Sequence, residues 1–255
     1  MAWDPETYLA FEAERTRPAR ELLARVVSEH PLRVADLGCG PGNSTALLAA
    51  RWPDAELWGI DSSPEMLKAA RASGVPARWC LADLAEWVAE SDYDLLFANA
   101  TLQWLAGHEQ LLPRLMQGLA EGGILAVQMP RNFEEPSHRL IRSVAEGKPW
   151  AGCFDGVPVA THVRPPEKYY AILEPHAARI DLWETIYVQV LEGEDAVYRW
   201  MSGTSLRPFV AALAEPQRAE FLDAYRSALT TNYPCRASGV TLFPFRRLFI
   251  VAKAG

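Results

Sequence analysis

The chain has 255 residues, 49% of them hydrophobic and 22% charged. That is ordinary globular composition, and it excludes a disordered or collagen-like chain. With 25 Lys and Arg against 32 Asp and Glu the net charge is -7, which argues against a nucleic-acid partner, since such proteins displace counterions with a cationic surface. Residues 5–29 are helical in pattern. Pro5 suits a first turn capped by Asp4, Leu22, Leu23, Val26 and Val27 make a late apolar face, and Pro18 is expected to divide the segment into two helices. Residues 33–37 (RVADL) are a short apolar run ending in glycines, hence a strand, and 43–51 are a helix. A second strand, 56–60, ends at Asp61. A helix over 63–72 follows, with Ser62 or Ser63 as cap and Pro64 just inside it. Residues 77–80 and 94–98 are the third and fourth strands. A helix over 109–119 is expected to stop at Gly122-Gly123, and 123–129 form a fifth strand. Strands alternating with helices imply a parallel sheet covered on both faces.

The rhythm changes after Pro130. Residues 131–179 carry prolines and loop signals around a helix near 137–145. Residues 180–191 (IDLWETIYVQVL) are a long strand pattern, and 195–233 hold two or three helices parted near Arg207-Pro208 and Glu215-Pro216. A last strand spans 242–252. Two late strands fit an antiparallel addition at the sheet edge. Four scattered cysteines, Cys39, Cys80, Cys153 and Cys235, include no C-x-x-C pair, so neither a disulfide framework nor a metal site is expected. The opening MAWDPETYLAFEAERTRP carries four acidic residues and no signal-peptide core, and no apolar run approaches the ~20 residues of a membrane span. A soluble, cytoplasmic protein is expected, with no nucleic-acid or membrane partner.

The strongest chemical signal is Asp36-Leu-Gly-Cys-Gly-Pro-Gly42, after a predicted strand and before a predicted helix. Gly38, Gly40 and Gly42 allow a tight turn and close approach of a ligand to the backbone. The spacing is G-x-G-x-G, unlike the G-x-G-x-x-G of dinucleotide binders. Asp36 places a carboxylate inside the motif, where a ligand amine or ribose would use it. Asp61, at the end of the second strand, suits the two hydroxyls of a ribose; the plainer reading is a helix cap. Asp83, in LADL, can accept from an adenine amino group, or is a simple loop residue.

These landmarks resemble the class I S-adenosylmethionine-dependent methyltransferases. The resemblance implies that Gly38 and Gly40 lie against the methionine part, that Asp61 holds the ribose and Asp83 the adenine end, and that Ser62, Met66 and Leu84 also line the cofactor site. It implies that Asn99, in FANA, faces the methionine and the reacting methyl. With WDP-x-x-Y-x-x-F and ERTRP at the start, DLGCGPGNST, GIDSSPEML, FANATLQW, LAVQMP, LRPF and RLFIVA, the chain resembles the trans-aconitate methyltransferases nearly end to end. The implied reaction is methyl esterification of a small tricarboxylic acid. Arg131 stands where an acidic residue is expected, and Arg246-Arg247 where one arginine after a proline is expected.

A carboxylate with a pKa of ~4 is ionised at neutral pH, so esterification needs no general base, no metal and no catalytic side chain beyond those that position the substrate. A tri-anion needs fixed cations, and the planar fork of arginine suits carboxylates. The candidates are Arg15, Arg17, Arg207 and Arg247, for which surface ion pairing is the plainer reading. Tyr8, Gln103, Trp104, Tyr169 and Tyr170 are candidates for closing the pocket or donating hydrogen bonds. His138 and His162 are expected to be ordinary helix-surface or loop residues. The arginines should hold spectator carboxylates, because cations on the reacting one would lower its nucleophilicity. The fold expected is a doubly wound α/β, Rossmann-like sheet in one domain of residues 1–255. Residues 32–130 would be the cofactor core, and 1–30, 131–179 and 192–240 a helical cap. Residues 180–191 and 242–252 would be late strands completing the sheet. The alternatives are a methyltransferase of the same fold acting on a carrier-bound acid, a hydroxyl or a nitrogen, and a non-enzymatic S-adenosylmethionine-binding protein.

Overall fold

The computed structural model describes residues 12–89, 92–147, 149–157 and 163–255, and of residues 12–15 the backbone alone. Its elements are α1 (Glu12–Arg25), β1 (Arg33–Leu37), α2 (Asn43–Arg51), β2 (Glu56–Asp61), α3 (Pro64–Ala72), β3 (Arg78–Leu81), β4 (Tyr93–Asn99), a 3-10 turn (Leu102–Trp104), α4 (His108–Gln117), β5 (Leu119–Pro130), α5 (Pro136–Glu146), α6 (Pro166–Leu173), β6 (Ala177–Glu192), α7 (Ala196–Ser202), α8 (Arg207–Ala212), α9 (Gln217–Asn232) and β7 (Val240–Ala254). The sheet runs in the order β3-β2-β1-β4-β5-β7-β6. β1 to β5 pair in parallel, and β7 joins β5 antiparallel. The chain order reverses between β1 and β4, and it is outside the carboxyl ends of strands at such a switch point that open α/β sheets bind ligands.

Alternation along each strand sorts the sheet's two faces. Ala35, Leu37, Ile60, Leu96, Ala98, Leu125, Val127, Leu248 and Ile250 share a core with Leu111, Leu112 and Leu115 of α4 and with Tyr169 and Leu173 of α6. The other face carries Asp36, Gly59, Phe97, Asn99, Gln128 and Phe249, as the register pairs Asp36 with Gly59 and Phe97, and Gln128 with Asn99 and Phe249. Helix α2 covers this second face, since Ser44 and Thr45 reach Asp36. Helix α1 is tied to α2 by Arg51, whose guanidinium donates to the carbonyls of Leu23 and Val26.

Two compact units divide the chain. One holds 15–130, 162–185 and 247–255; the other includes 131–161 and 186–246. The first, here the core unit, contains the glycine loop and the parallel strands. The second has its own core, with residues from α5, α7, α8, α9 and the first half of β7, among them the aromatic Trp200, Phe209, Phe221, Tyr225 and Phe243.

Three expectations are corrected. Pro18 does not divide the first helix, because α1 runs through it. The interior proline costs about 3 kcal/mol, whereas burying Leu22 and Leu23 contributes about 2 kcal/mol each. Val27 leaves the apolar face and is 86% exposed, since the helix ends two residues before it. Gly122-Gly123 do not stop α4, which ends at Gln117 with Gly118 as its cap. They lie inside β5, where Tyr93 pairs with Leu119 but Leu95 with Ile124. Gly122, at φ 72°, takes up the extra residues of that bulge.

Candidate active site

The glycine loop joins β1 to α2 and leans on the end of β2. The N–H groups of Gly38 and Cys39 both donate to the carbonyl of Ile60, at 2.7 and 3.0 Å. Gly38 has φ 68°, and a Cβ there would stand 2.1 Å from Cγ2 of Thr101. Thr101 in turn donates through Oγ1 to the Gly38 carbonyl at 3.1 Å. Gly40 also has positive φ, 54°, but its Cβ direction meets nothing within 4 Å. Gly38 is therefore required by the protein's own packing, and Gly40 leaves an open backbone cradle. Gly42, at φ 97°, is the residue before α2.

Asp36 is fully buried at the second face. One oxygen accepts from Ser44 Oγ at 2.7 Å and from Thr45 Oγ1 at 2.6 Å. The other, Oδ1, is buried without a hydrogen-bond partner among the described residues. Burial raises its pKa to about 6 against the pull of the two hydroxyls, so near neutral pH the carboxyl stands ready for a cation. Asp61 closes β2. Its Oδ2 accepts from Gly40 N–H at 2.9 Å, and its Oδ1 from Ser63 N–H at 2.8 Å. The helix cap is Ser63, whose hydroxyl accepts from Met66 N–H at 3.3 Å. Each carboxylate oxygen of Asp61 keeps a further lone pair for a hydroxyl. Ser62 is exposed and Met66 half-buried. Asp83 is exposed and accepts from Ala85 N–H at 2.9 Å, beside the buried Leu84. Burial pushes the Cys39 thiol up in pKa, so this loop cysteine stays protonated and inert.

At the ends of β4 and β5 lies a set of amides. Asn99 pairs in register with Gln128, and Asn99 Oδ1 is buried without a hydrogen-bond partner among the described residues. Gln103 donates through Nε2 to the Ala100 carbonyl at 2.7 Å. Gln128 accepts at Oε1 from Arg247 Nη1 at 3.3 Å. Gln128 is 0% and Arg247 5% exposed. Sequence reasoning missed both Thr101 and Gln128. The signal for Gln128 was available, as a lone amide inside an otherwise apolar central strand. Trp104 is 47% exposed.

Tyr169, expected at the substrate, is instead a residue of the first-face core. Leu102's carbonyl takes a hydrogen from His108 Nε2 at 2.8 Å, His108 Nδ1 lies 2.7 Å from the Tyr169 hydroxyl, and Arg164 N–H donates to that hydroxyl oxygen at 3.1 Å. The Tyr169 hydroxyl already has two partners inside the protein. Tyr170 is exposed. Arg17 pairs with Glu21 at 2.7 Å within α1. Arg207 opens α8 in the other unit. Tyr8, His162 and the side chain of Arg15 lie outside the described residues. His138, expected on a helix surface, is buried between Ser137 and Ser205.

The family described as "Methyltransferase domain" matches residues 34–123, the stretch that carries the glycine loop. Two proteins named trans-aconitate 2-methyltransferase are much closer. The one from Azoarcus sp. (strain BH72) is 49% identical over 250 residues, and that from Methylobacterium radiotolerans 51% over 254, each alignment covering 98% of both chains. The chain belongs to the trans-aconitate 2-methyltransferase family. Among solved structures, the YcgJ protein of Bacillus subtilis aligns with a TM-score of 0.60 at 13% identity, covering 93% of this chain and 98% of that one. The phosphoethanolamine N-methyltransferase 2 of Haemonchus contortus, complexed with S-adenosylhomocysteine, aligns at 0.56 with 14% identity, covering 94% and 53%. These two share the fold. The likeness to the trans-aconitate 2-methyltransferase family extends across both units, beyond the methyltransferase core.

Proposed function

We propose that the protein is an S-adenosylmethionine-dependent carboxyl methyltransferase that forms the monomethyl ester of trans-aconitate. The observation that carries this is near-50% identity to trans-aconitate 2-methyltransferases over 98% of the chain, with the glycine loop, Asp36 and Asp61 assembled at the switch point of the sheet. The cofactor fits the residues present: the cradle at Gly40 is open, Asp36 offers a buried acceptor oxygen to an ammonium, and Asp61 offers lone pairs to a ribose. When bound, S-adenosylmethionine supplies an electrophilic methyl, which a carboxylate oxygen takes with its own lone pair while the carbon–sulfur electrons return to sulfur. In this reading Gly38, Gly40 and Gly42 bring the backbone against the cofactor, Asp61 with Ser62 and Met66 holds the ribose side, and Asp83 and Leu84 hold the adenine side. Asn99 lies toward the methionine end. Arg15, Arg17, Arg207 and Arg247 supply the positive charge that a tri-anion needs in a chain of net charge -7, and Gln103 and Trp104 line the acid's site.

The protein's contribution to rate is orientation, because the ionised acid is already a nucleophile. No helix among the described residues is long and apolar enough to cross a membrane, and a cytoplasmic location belongs to the same reading. The test is transfer of labelled methyl from S-adenosylmethionine to a panel of trans-aconitate, cis-aconitate, citrate and isocitrate, scored as base-labile product. Preference for trans-aconitate supports the reading. No ester with any acid, from protein that binds S-adenosylhomocysteine, overturns it.

A further inference from the structure

Gln128 is a buried amide whose orientation is decided by its neighbour. A guanidinium has only donors, so the atom facing Arg247 Nη1 at 3.3 Å must be the amide oxygen. That leaves Nε2 as a donor, fully buried and without a hydrogen-bond partner among the described residues. A buried donor left unsatisfied is costly, and its natural partner is an acceptor brought by a ligand. The place is informative. Gln128 pairs with Asn99 near the carboxyl ends of β5 and β4, on the same sheet face as Asp36. Asn99 Oδ1 and Gln103 Oε1 are buried acceptors without hydrogen-bond partners among the described residues. Gln103 Oε1 is identified as an oxygen because its Nε2 donates to the Ala100 carbonyl. Acceptors repel an anion's oxygens; of the amide nitrogens in this set, Gln103 Nε2 is spent on the Ala100 carbonyl, and Gln128 Nε2 is the one that is buried without a hydrogen-bond partner among the described residues, so it is the donor we assign to a carboxylate.

The geometry points to Gln128, oriented by Arg247, as the neutral donor that positions the carboxylate undergoing methylation. This rests on the proposed carboxyl methyltransferase reading and deepens it. Placing an amide between the arginine and the nucleophile orients the reacting oxygen without direct ion pairing, which would withdraw its electron density. The cofactor also bears a carboxylate, so the experiment must separate the two sources of that group.

The test uses the full chain with two variants. Gln128→Glu keeps an oxygen acceptor for Arg247 while exchanging the donor for a negative charge, and Gln128→Met removes both polar atoms at similar volume. Three quantities are measured for each: the affinity for S-adenosylhomocysteine by calorimetry, the affinity of the S-adenosylhomocysteine-loaded protein for trans-aconitate, and kcat with KM. Expected are an unchanged S-adenosylhomocysteine affinity, a kcat lowered about 30- to 100-fold in both variants, and weaker trans-aconitate binding, most of all in Gln128→Glu. A kcat within about threefold of the parent overturns the proposal. So does a loss of S-adenosylhomocysteine affinity matching the loss of rate, which would assign the donor to the cofactor's carboxylate. The unmodified protein supplies a check that needs no variant. On titrating trans-aconitate into its S-adenosylhomocysteine complex, the Gln128 side-chain amide proton should move downfield in the NMR spectrum, and an unmoved resonance overturns the proposal. If the unmodified enzyme esterifies no acid, the underlying reading fails; if it esterifies trans-aconitate and the variants match it, only the role of Gln128 fails.

Discussion

Gly38 and Gly40 are two residues apart and both have positive φ, yet a methyl group meets different surroundings at each. At Gly40 it enters open space, and Gly40→Ala should lower stability by only the left-handed backbone cost, about 1–2 kcal/mol, while weakening S-adenosylhomocysteine binding at least tenfold. At Gly38 it collides with Thr101, adding an overpacking cost for a total of about 2–5 kcal/mol. Melting temperature and calorimetry on the two variants check this contrast; equal melting losses would contradict it. Asp36 gives a second residue-scale prediction. Its folded pKa, about 6, lies above the ordinary 3.8 because of burial. Its contribution to stability is therefore fully present below pH 3.8 and is lost as pH rises through 6, on the order of 3 kcal/mol. A cofactor ammonium takes the ionised form, so binding should strengthen from pH 5 to 7. At pH 5.5 it should release up to one proton, read by calorimetry in buffers of different ionisation enthalpy. Absence of that release would remove Asp36 as the partner of the ammonium.

At the scale of elements, α6 is held to the first face of the sheet through Tyr169, His108 and the Leu102 carbonyl. Tyr169→Phe keeps the ring and removes the hydroxyl, stranding His108 Nδ1 and the N–H of Arg164. The expected cost is about 1–3 kcal/mol of stability with kcat and KM unchanged, measured by denaturant unfolding beside steady-state kinetics. A selective rise in KM would return Tyr169 to the substrate site. Most elements were legible from apolar period and punctuation: β1, α2 and β2 lie where alternation and the cap residues put them. The misses share a cause. Pro18 and Gly122-Gly123 are local breakers, but what surrounds them decides whether they break anything. At Pro18 the buried leucines of α1 outweigh one lost hydrogen bond, and at Gly122 a neighbouring strand makes the break a bulge.

At the scale of the molecule, the two units should answer acid in opposite ways. His138 packs in the second unit between Ser137 and Ser205 with Phe133 edge-on at 5.1 Å, and burial lowers its pKa from 6.5 to about 4. A depressed histidine pKa contributes stability present above pH 6.5 and lost as pH falls toward 4, on the order of 3 kcal/mol. Asp36 acts the other way in the core unit. Hydrogen exchange at pH 7 and pH 5 should show α5 and α7–α9 losing protection on acidification more than β1 and β4 do. In His138→Gln the difference should shrink, and an unchanged acid response would discard the assignment to His138.

The sequence by itself determined the parallel α/β order, the glycine loop at the end of β1, and the carboxylates Asp36, Asp61 and Asp83 at or just past the ends of β1, β2 and β3. It could do so because these features are local: a strand period, a turn that only glycine adopts, and side chains at strand ends. It also carried the family likeness, which is spread along the chain. Only the tertiary structure decided which polar side chains are spent inside the protein and which are left for a ligand. Nothing in the local sequence says whether Tyr169, in PEKYYAIL, or Gln128, in ILAVQM, is satisfied. The first finds His108 sixty-one positions away. The second finds Arg247 one hundred and nineteen away and still keeps a buried donor. Whether a hydrogen-bonding group is satisfied depends on partners that folding brings together from remote segments, and no spacing within a strand records it.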